Sequence, residues 1–506
     1  MQGLKDQHVL ILGLGASGLA MARWCARAGA QVTVADTRET PPELASLRRE
    51  IPQAVFVCAA LDASLLSGRA ITSVFKSPGL APASVATIIE ANYSYSTRIK
   101  GELDLFSEAL AGLKAARGYN PAVLAITGTN GKTTVTSLTG QLVERAGKSV
   151  AVAGNIGPTL LDTLTGRLDA DALPDVWVIE LSSFQLDGVE NFEPMAATVL
   201  NITQDHLDWH GSLQAYAQAK SRVFGKNGLM LLNRDDPLVM AMLPPMSTQG
   251  RVKDRVQREF VTFGAGMPGR PGDFGIEEVN GMVWLVRAQD ADGTRRKRGE
   301  AAEDLFIQRL MPADALRIRG RHNAVNALAA LALASAAGCN LAPILFGLRE
   351  YRGEPHRVEP VGIVNGVEFF DDSKGTNVGA TVAALNGLGA DRRLVVILGG
   401  DGKGQDFAPL AAPLARFARA AVLIGRDAPL IRAALASTSV PLLDAPDMPL
   451  AVEEANRQAR PGDAVLMSPA CASLDMFDNY LHRATVFRDA VSALADAAGV
   501  SLEVSQ

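Results

Sequence analysis

The sequence predicts an α/β protein built from three domains, and three observations predict it. The chain has 506 residues, more than one ordinary hydrophobic core serves. Two glycine-rich turns, at 13–18 and 128–131, each stand between an apolar strand-like run and a helix-like run. The C-terminal third repeats the same rhythm, short apolar runs ending in polar turns. The expected domains are residues 1–97, 98–353 and 354–506, joined by linkers short enough to act as hinges.

In the first block His8–Leu12 reads as a strand, 13–18 as a GxGxxG turn and the residues to about Ala28 as a helix. Gln31–Ala35 follows as a second strand ending in Asp36. Strand, glycine turn, helix, strand and acid in this order form the dinucleotide-type βαβ unit, so a Rossmann-like domain is expected. On these residues alone the ligand is NAD or FAD, which makes a nicotinamide-dependent oxidoreductase one reading of the chain. Ser73–Lys76 is a further strand opening into Ser77-Pro78-Gly79.

In the second block the apolar run Val123 to Ile126 is a strand and Val135 to Ala146 a helix. Between them lies Thr127-Gly128-Thr129-Asn130-Gly131-Lys132-Thr133-Thr134, which suits a nucleotide triphosphate. Glycines turn backbone N–H groups inward, the helix N-terminus adds partial positive charge, and Lys132 adds a full one. Thr133 is placed to offer its hydroxyl to phosphate-bound magnesium. The usual phosphate-loop pattern has glycine at position 126, where this chain has Ile126, so the loop is a variant.

Three more strands, Ser149–Ala153, Val176–Leu181 and Ala197–Asn201, end in Gly154-Asn155, Ser182-Ser183 and 203–206. Polar residues at the carboxyl ends of parallel strands are where open α/β sheets hold ligands, so a P-loop ATPase-like central domain is expected. Ala324 to Ala337 reads as a buried helix. Residues 264–319 read as a peripheral insertion with little chemistry. In the third block Leu394–Leu398, Ala421–Ile424 and Ala464–Met467 lead into Gly399–Lys403, Gly425–Asp427 and Ser468–Ser473, a second Rossmann-like arrangement.

Composition narrows the function. Hydrophobic residues make up 48% and charged residues 20%, the balance of a soluble globular protein. A net charge of −5 gives no reason to expect nucleic acid or a membrane surface as partner. The basic run Arg295-Arg296-Lys297-Arg298 reads as a solvated loop. Cys25, Cys58, Cys339 and Cys471 are scattered, so neither a disulfide framework nor a zinc site is expected, and a reducing cytoplasm is. The N-terminus carries no signal-peptide pattern, and no apolar run approaches the ~18 residues of a membrane span.

A phosphate loop binds nucleotide without naming a reaction, so neighbouring strand ends decide it. Glu180 ends an apolar strand and can take magnesium beside Thr133. His206 follows a strand, and His210 reads as structural. Ser212 reads as the cap of a helix that carries Tyr216 and Lys220 on one face. His356-Arg357 lies at the domain junction, where an arginine can close over a triphosphate. Residues 371–377 combine acids, a lysine and hydroxyls. Lys403, and Ser473 at an expected helix N-terminus, are anion-binding candidates, and two such sites suit a dicarboxylate.

Taken in order, Gly-Thr-Asn-Gly-Lys-Thr-Thr, Glu180 to Leu186, Asp205-His206-Leu207-Asp208, Arg321-His322-Asn323 with Asn326, His356-Arg357, Asp372-Ser373-Lys374 and Ser468 to Leu474 resemble the Mur ligases of peptidoglycan synthesis. The resemblance covers nearly the whole chain except 264–319 and a lengthened segment around 109–119. Within the family it is to the ligases that join D-glutamate to UDP-N-acetylmuramoyl-L-alanine. It implies ATP, two magnesium ions, an acyl-phosphate intermediate, ADP and phosphate as products, a cytoplasmic location and a monomer.

The resemblance also implies roles. Gly128, Thr129, Asn130, Gly131, Lys132, Thr133 and Thr134 would hold the phosphates, with Asn323, Asn326, Arg357, Asp372 and Lys374 along the nucleotide. Thr133 and Glu180 would serve one metal ion, and His206 the other, with Lys220 carbamylated. Gly15, Ala16, Ser17, Asp36, Thr37, Arg38, Ser77 and Gly79 would receive the uridine diphosphate in place of NAD. Asn155, Ser182 and Gln185 would face the muramoyl part. Thr376, Lys403, Ser473, Leu474 and Tyr480 would hold D-glutamate, Tyr480 standing where the family commonly has phenylalanine. Sister ligases for other amino acids or for folylpolyglutamate are the nearest rivals. The Asp-Asn-Pro-Arg signature of those adding a diamino acid is absent.

Overall fold

The computed structural model describes residues 2–68, 70–93, 99–245, 258–291, 305–390 and 392–502. The basic run at 295–298 and the expected boundary at residue 97 lie outside these. The first sheet contains β1 (His8–Leu12), β2 (Gln31–Asp36), β3 (Val55–Cys58) and β4 (Ser73–Lys76), all parallel in the order β3-β2-β1-β4. Four of the five β1 residues are buried, as a strand covered on both faces requires. The turn after it is tight: a Cβ on Gly18 would meet the Gly13 carbonyl oxygen at 2.1 Å.

The central sheet is also parallel. Its strands are β5 (Ala122–Thr127), β6 (Val150–Gly154), β7 (Val176–Glu180), β8 (Ala196–Val199), β9 (Leu229–Asn233) and β10 (Phe260–Phe263), in the order β10-β9-β8-β5-β7-β6. Ile126 of β5 pairs with Glu180 on one side and Thr198 on the other, and Glu180 pairs with Gly154. This register makes the phosphate loop, Glu180, Asn155 and the segment after Leu200 leave the sheet side by side.

Helix Glu102–Arg117 couples the first two sheets, with Phe106 edge-on to Trp177 at 5.1 Å. One continuous core runs from Val9 and Trp24 to Trp177 and Ile179.

The segment expected to be a peripheral insertion is partly core. It forms an antiparallel sheet of β11 (Phe274–Val279), β12 (Met282–Asp290) and β13 (Leu305–Pro312). Phe274, Ile276, Leu285 and Met311 bury with Leu328 and Leu331 of helix Arg321–Ala336 and Leu138 of the phosphate-loop helix. Alternation along the strands gives that sheet one apolar face, which needs a cover.

The last sheet contains β14 (Glu359–Val364), β15 (Val367–Asp371), β16 (Leu394–Gly399), β17 (Ala418–Ile424), β18 (Leu442–Asp444) and β19 (Ala464–Met467), in the order β14-β15-β19-β16-β17-β18. Only β14 runs antiparallel, joined to β15 by Asn365-Gly366 with φ of 51° and 78°. Those angles define the two-residue hairpin turn that Asn-Gly favours. Among the described residues no helix is long and apolar enough to cross a membrane.

Candidate active site between three domains

Gly131 precedes helix Lys132–Arg145 with φ of 84°, and a Cβ there would meet Asn326 Oδ1 at 2.8 Å. The loop is propped from behind. Asn130 N–H donates to Asn201 Oδ1 at 2.8 Å, and Asn201 Nδ2 returns a bond to the Asn130 carbonyl at 3.0 Å. Thr129 Oγ1 accepts from Thr203 N–H at 3.0 Å and from Tyr216 Oη at 3.2 Å. Ile126, replacing the expected glycine, is fully buried in β5, so the strand continues to Thr127 and the loop is shorter.

Two lysines converge on one carbonyl. Lys132 Nζ donates to Gly128 O at 3.0 Å and Thr129 O at 2.9 Å, while Lys220 Nζ donates to Gly128 O at 2.9 Å and Thr127 Oγ1 at 3.2 Å. Burial, and then the like charge of Lys132, push Lys220 well below the ordinary lysine range. A neutral amine has two N–H donors and one lone pair, and these two bonds use both donors. Lys220 is positioned by helix Leu213–Ser221, which opens as expected with Ser212 Oγ accepting Ala215 N–H at 3.1 Å.

Glu180 is 1% exposed. Its Oε1 accepts from Asn155 Nδ2 at 2.7 Å, and its Oε2 is buried without a partner among the described residues. An orphaned carboxylate oxygen beside Thr133, Lys132 and the loop is the kind of hard donor that magnesium takes. His206 has a left-handed backbone, φ 52°, and packs edge-on to Phe184 at 4.7 Å. Burial lowers its pKa, with Lys403, Lys132 and Lys220 adding to the effect. His210 bonds Ser183 Oγ at 2.9 Å and stacks on Phe184, as a structural histidine does.

The third domain closes over this centre. Arg357 Nη2 donates to Thr133 Oγ1 at 2.9 Å, and Asn377 Nδ2 donates to Asn130 Oδ1 at 3.1 Å. Both neighbours of Arg357 are left-handed, His356 at φ 62° and the β-branched Val358 at φ 52°, each costing about 1–3 kcal/mol. A cavity of about 110 Å3 remains, lined by Asn323, Asn326, Arg357 and Asp372 with Gly131 and Thr134. Asp372 accepts from Ser468 Oγ at 2.6 Å, and burial pushes its carboxyl up to about 7. Lys374 Nζ lies 5.0 Å over the Tyr480 ring.

The remaining expected residues fall into two groups. At the first-domain turn Gly15 caps the helix holding Ala16 and Ser17, with Asp36–Arg38 and the Ser77–Gly79 loop at neighbouring strand ends. Asp36 is already satisfied by Leu14 N–H at 2.8 Å and by the Arg38 guanidinium at 2.8 Å twice, which holds it down at about 2. That leaves the acid poorly free for the ribose of NAD. Ser182 and Gln185 cap each other across one helical turn.

In the last domain Thr376, Lys403, Ser473 and Leu474 lie on loops after β15, β16 and β19. No helix opens at Ser473, contrary to expectation. It sits in a turn, and the helix begins at Tyr480 with Asn479 as its cap. The Pro469–Ser473 segment bridges back to Asp401, delaying the helix. Sequence reasoning missed Asn201, Thr203 and Asn377 as site residues, although each is a polar residue just beyond a strand or at a helix cap.

The chain matches the Mur ligase MurD-like N-terminal domain over residues 7–95, the Mur ligase middle domain over 126–256 and the Mur ligase glutamate ligase domain over 356–471. It is 69% identical to a UDP-N-acetylmuramoylalanine–D-glutamate ligase of Albidiferax ferrireducens, covering 99% of both chains. It is 58% identical to the ligase of the same name from Burkholderia mallei, covering 98% of both. A MurF ligase from Thermotoga maritima, solved with ADP, shares the fold at a TM-score of 0.55 and 15% identity, over 97% of this chain and 96% of that one. The chain belongs to the Mur ligase family, ATP-dependent ligases of peptidoglycan synthesis.

Proposed function

We infer that the chain joins D-glutamate to UDP-N-acetylmuramoyl-L-alanine, with ATP converted to ADP and phosphate. The observation that carries this is full-length identity of 69% to a ligase of that name, together with a phosphate loop closed by a second domain's arginine. The substrate carboxylate takes the γ-phosphoryl group of ATP, giving an acyl phosphate and ADP. The D-glutamate amine then attacks the acyl carbon, a proton is lost, and phosphate leaves. Such chemistry needs positioning and neutralisation of spreading negative charge more than covalent help from the protein.

Residues 1–97 would bind the uridine diphosphate, 98–353 ATP, and 354–506 D-glutamate. Lys132 and the N–H groups of 128–134 would cradle the phosphates, and Arg357 would swing from Thr133 onto the γ-phosphate. Asn323, Asn326, Asp372 and Lys374 would hold the nucleoside side. Asn155, Ser182 and Gln185 would orient the muramoyl carboxylate, while Thr376, Lys403, Ser473, Leu474 and Tyr480 would orient the amino acid.

Thr133 and Glu180 would hold one magnesium ion, and His206 and Lys220 a second. Bound there, these ions would neutralise phosphate oxygens. The orphaned Glu180 oxygen supports the first site. The lowered pKa of the buried Lys220 amine supports the second, since an unprotonated amine's lone pair can add to carbon dioxide, release a proton and leave an anionic carbamate. All of these groups come from one chain, so a monomer is complete. ATP and a UDP-linked substrate suit the cytoplasm.

Phosphate release tests the reading. It should require ATP, magnesium, UDP-N-acetylmuramoyl-L-alanine and D-glutamate together. Turnover with L-alanine, a diamino acid or a folate in place of these substrates would assign the chain to a sister ligase.

A further inference from the structure

The turn that carries Arg357 is also held by groups outside the nucleotide cavity. His356 Nδ1 and Asp371 Oδ2 lie 2.7 Å apart, and Arg488 Nε donates to the same oxygen at 3.2 Å. Arg488 also pairs with Glu359, whose Oε2 accepts His356 N–H at 2.8 Å. The ligand atoms of His356, Glu359 and Asp371 all lie within 4.8 Å of one another, the spacing of a metal site. A guanidinium is already paired with both carboxylates.

We propose that Arg488 is a positioning residue for Arg357, gathering His356, Glu359 and Asp371 as a divalent ion would and holding the turn that aims Arg357 at the phosphate loop. The proposal rests on the reading that Arg357 contacts ATP. The turn needs a clamp because His356 and Val358 both have positive φ, which side chains disfavour, and relaxation of either would swing Arg357 away from Thr133. On the cleft side the turn is held more loosely, by Val358 N–H to Asp372 Oδ1 at 3.3 Å and Lys374 N–H to the His356 carbonyl at 3.2 Å.

Arg488 is firmly based. Its helix, Tyr480–Ala498, buries Phe487 and Val491 in the core under the last sheet. A planar fork reaches two carboxylates at once, which a lysine's point charge does not. The clamp therefore ties the last helix of the chain to a contact made on the central domain.

The test is steady-state kinetics on the full chain with Arg488→Gln, Arg488→Lys and Arg357→Ala. Arg488→Gln should raise KM for ATP on the order of tenfold, as misplacement of a positioned group does. KM for D-glutamate and for the UDP-linked substrate should stay within about twofold, with Arg488→Lys intermediate. Unchanged KM for ATP in Arg488→Gln, or an equal rise in all three constants, overturns the proposal. If Arg488→Gln does not fold, Glu359→Gln and Arg488→Lys carry the same comparison. Arg357→Ala separates the two ideas. An impaired Arg357→Ala beside a normal Arg488→Gln removes the clamp alone, whereas a normal Arg357→Ala removes the underlying ATP assignment.

Discussion

Two lysines share the Gly128 carbonyl, and their different surroundings give them different chemistry. Lys132 is half-buried and feels the opposite charge of Glu180. Lys220 is 1% exposed beneath the loop, stacked 4.7 Å over the Tyr216 ring, where a full positive charge is costly. Lys220→Ala should lower turnover, and added small carboxylates should partly restore it by standing in for the carbamate. Absence of rescue, with a wild type indifferent to bicarbonate depletion, would remove the carbamate from the mechanism. Asp372 makes a second prediction. Its carboxyl is pushed up from the ordinary 3.8 to about 7, so the fold favours its protonated form. Its contribution to stability is complete below about pH 3.8 and is lost as pH rises towards 7. In Asp372→Asn the melting temperature of the nucleotide-free protein should fall less over that window. A slope identical to wild type would assign the pH dependence to other groups.

At the scale of elements, the phosphate loop, Asn155 and Glu180 stand where strands stop. The phosphate-loop helix starts at Lys132 only because Gly131 takes a left-handed backbone against Asn326. Gly131→Ala combines an unfavourable φ with a 2.8 Å contact, so it should abolish nucleotide binding in calorimetry. Its far-UV circular dichroism should stay native, because the sheet beneath is untouched. Tight ATP binding by this variant would mean that the loop turns some other way. The helix carrying Tyr216 and Lys220 shows the same economy. One serine cap sets its start, and its period puts both side chains beneath the loop.

For the whole molecule, the decisive feature is closure of the last domain onto the central one. Arg357 reaches Thr133, Asn377 reaches Asn130, and the cavity between them is small. A whole nucleotide commonly occupies a pocket of roughly 300–1,000 Å3, so an outward swing of the last domain on nucleotide entry is the expected outcome. Asn377→Ala removes one closing bond worth ~0.5–1.5 kcal/mol net, so KM for ATP and for D-glutamate should rise together by about two- to tenfold. This differs from the Arg488 variants, which should move the ATP constant alone. A lowered melting temperature with both constants unchanged would make Asn377 a purely structural cap.

Much of this was legible in the residues, because local rules act over short spans. The alternation of apolar runs with polar turns predicted β1, β2, β4 and β19 to within a residue, and the Ser212 cap placed Lys220 in the right phase. The ordered motifs predicted the family. The Asn365-Gly366 hairpin has a local signal too, since that dipeptide between apolar runs favours a two-residue turn.

Other features had no local signature. Residues 264–319 looked peripheral because their strands are short and their loops charged, yet their apolar face meets helix Arg321–Ala336 in the core. Ser473 reads as a helix start, but it follows Ala472, which bridges to Asp401, and the helix begins only at Tyr480. By itself the sequence determined which residues end strands and which can bind phosphate, since periodicity and backbone conformation are near-neighbour properties. Tertiary structure alone decided that the Lys220 pKa is lowered, that Glu180 Oε2 is buried without a partner among the described residues and that Arg488 braces Arg357. Burial and long-range pairing set those states, and both arise only when distant segments share one interior.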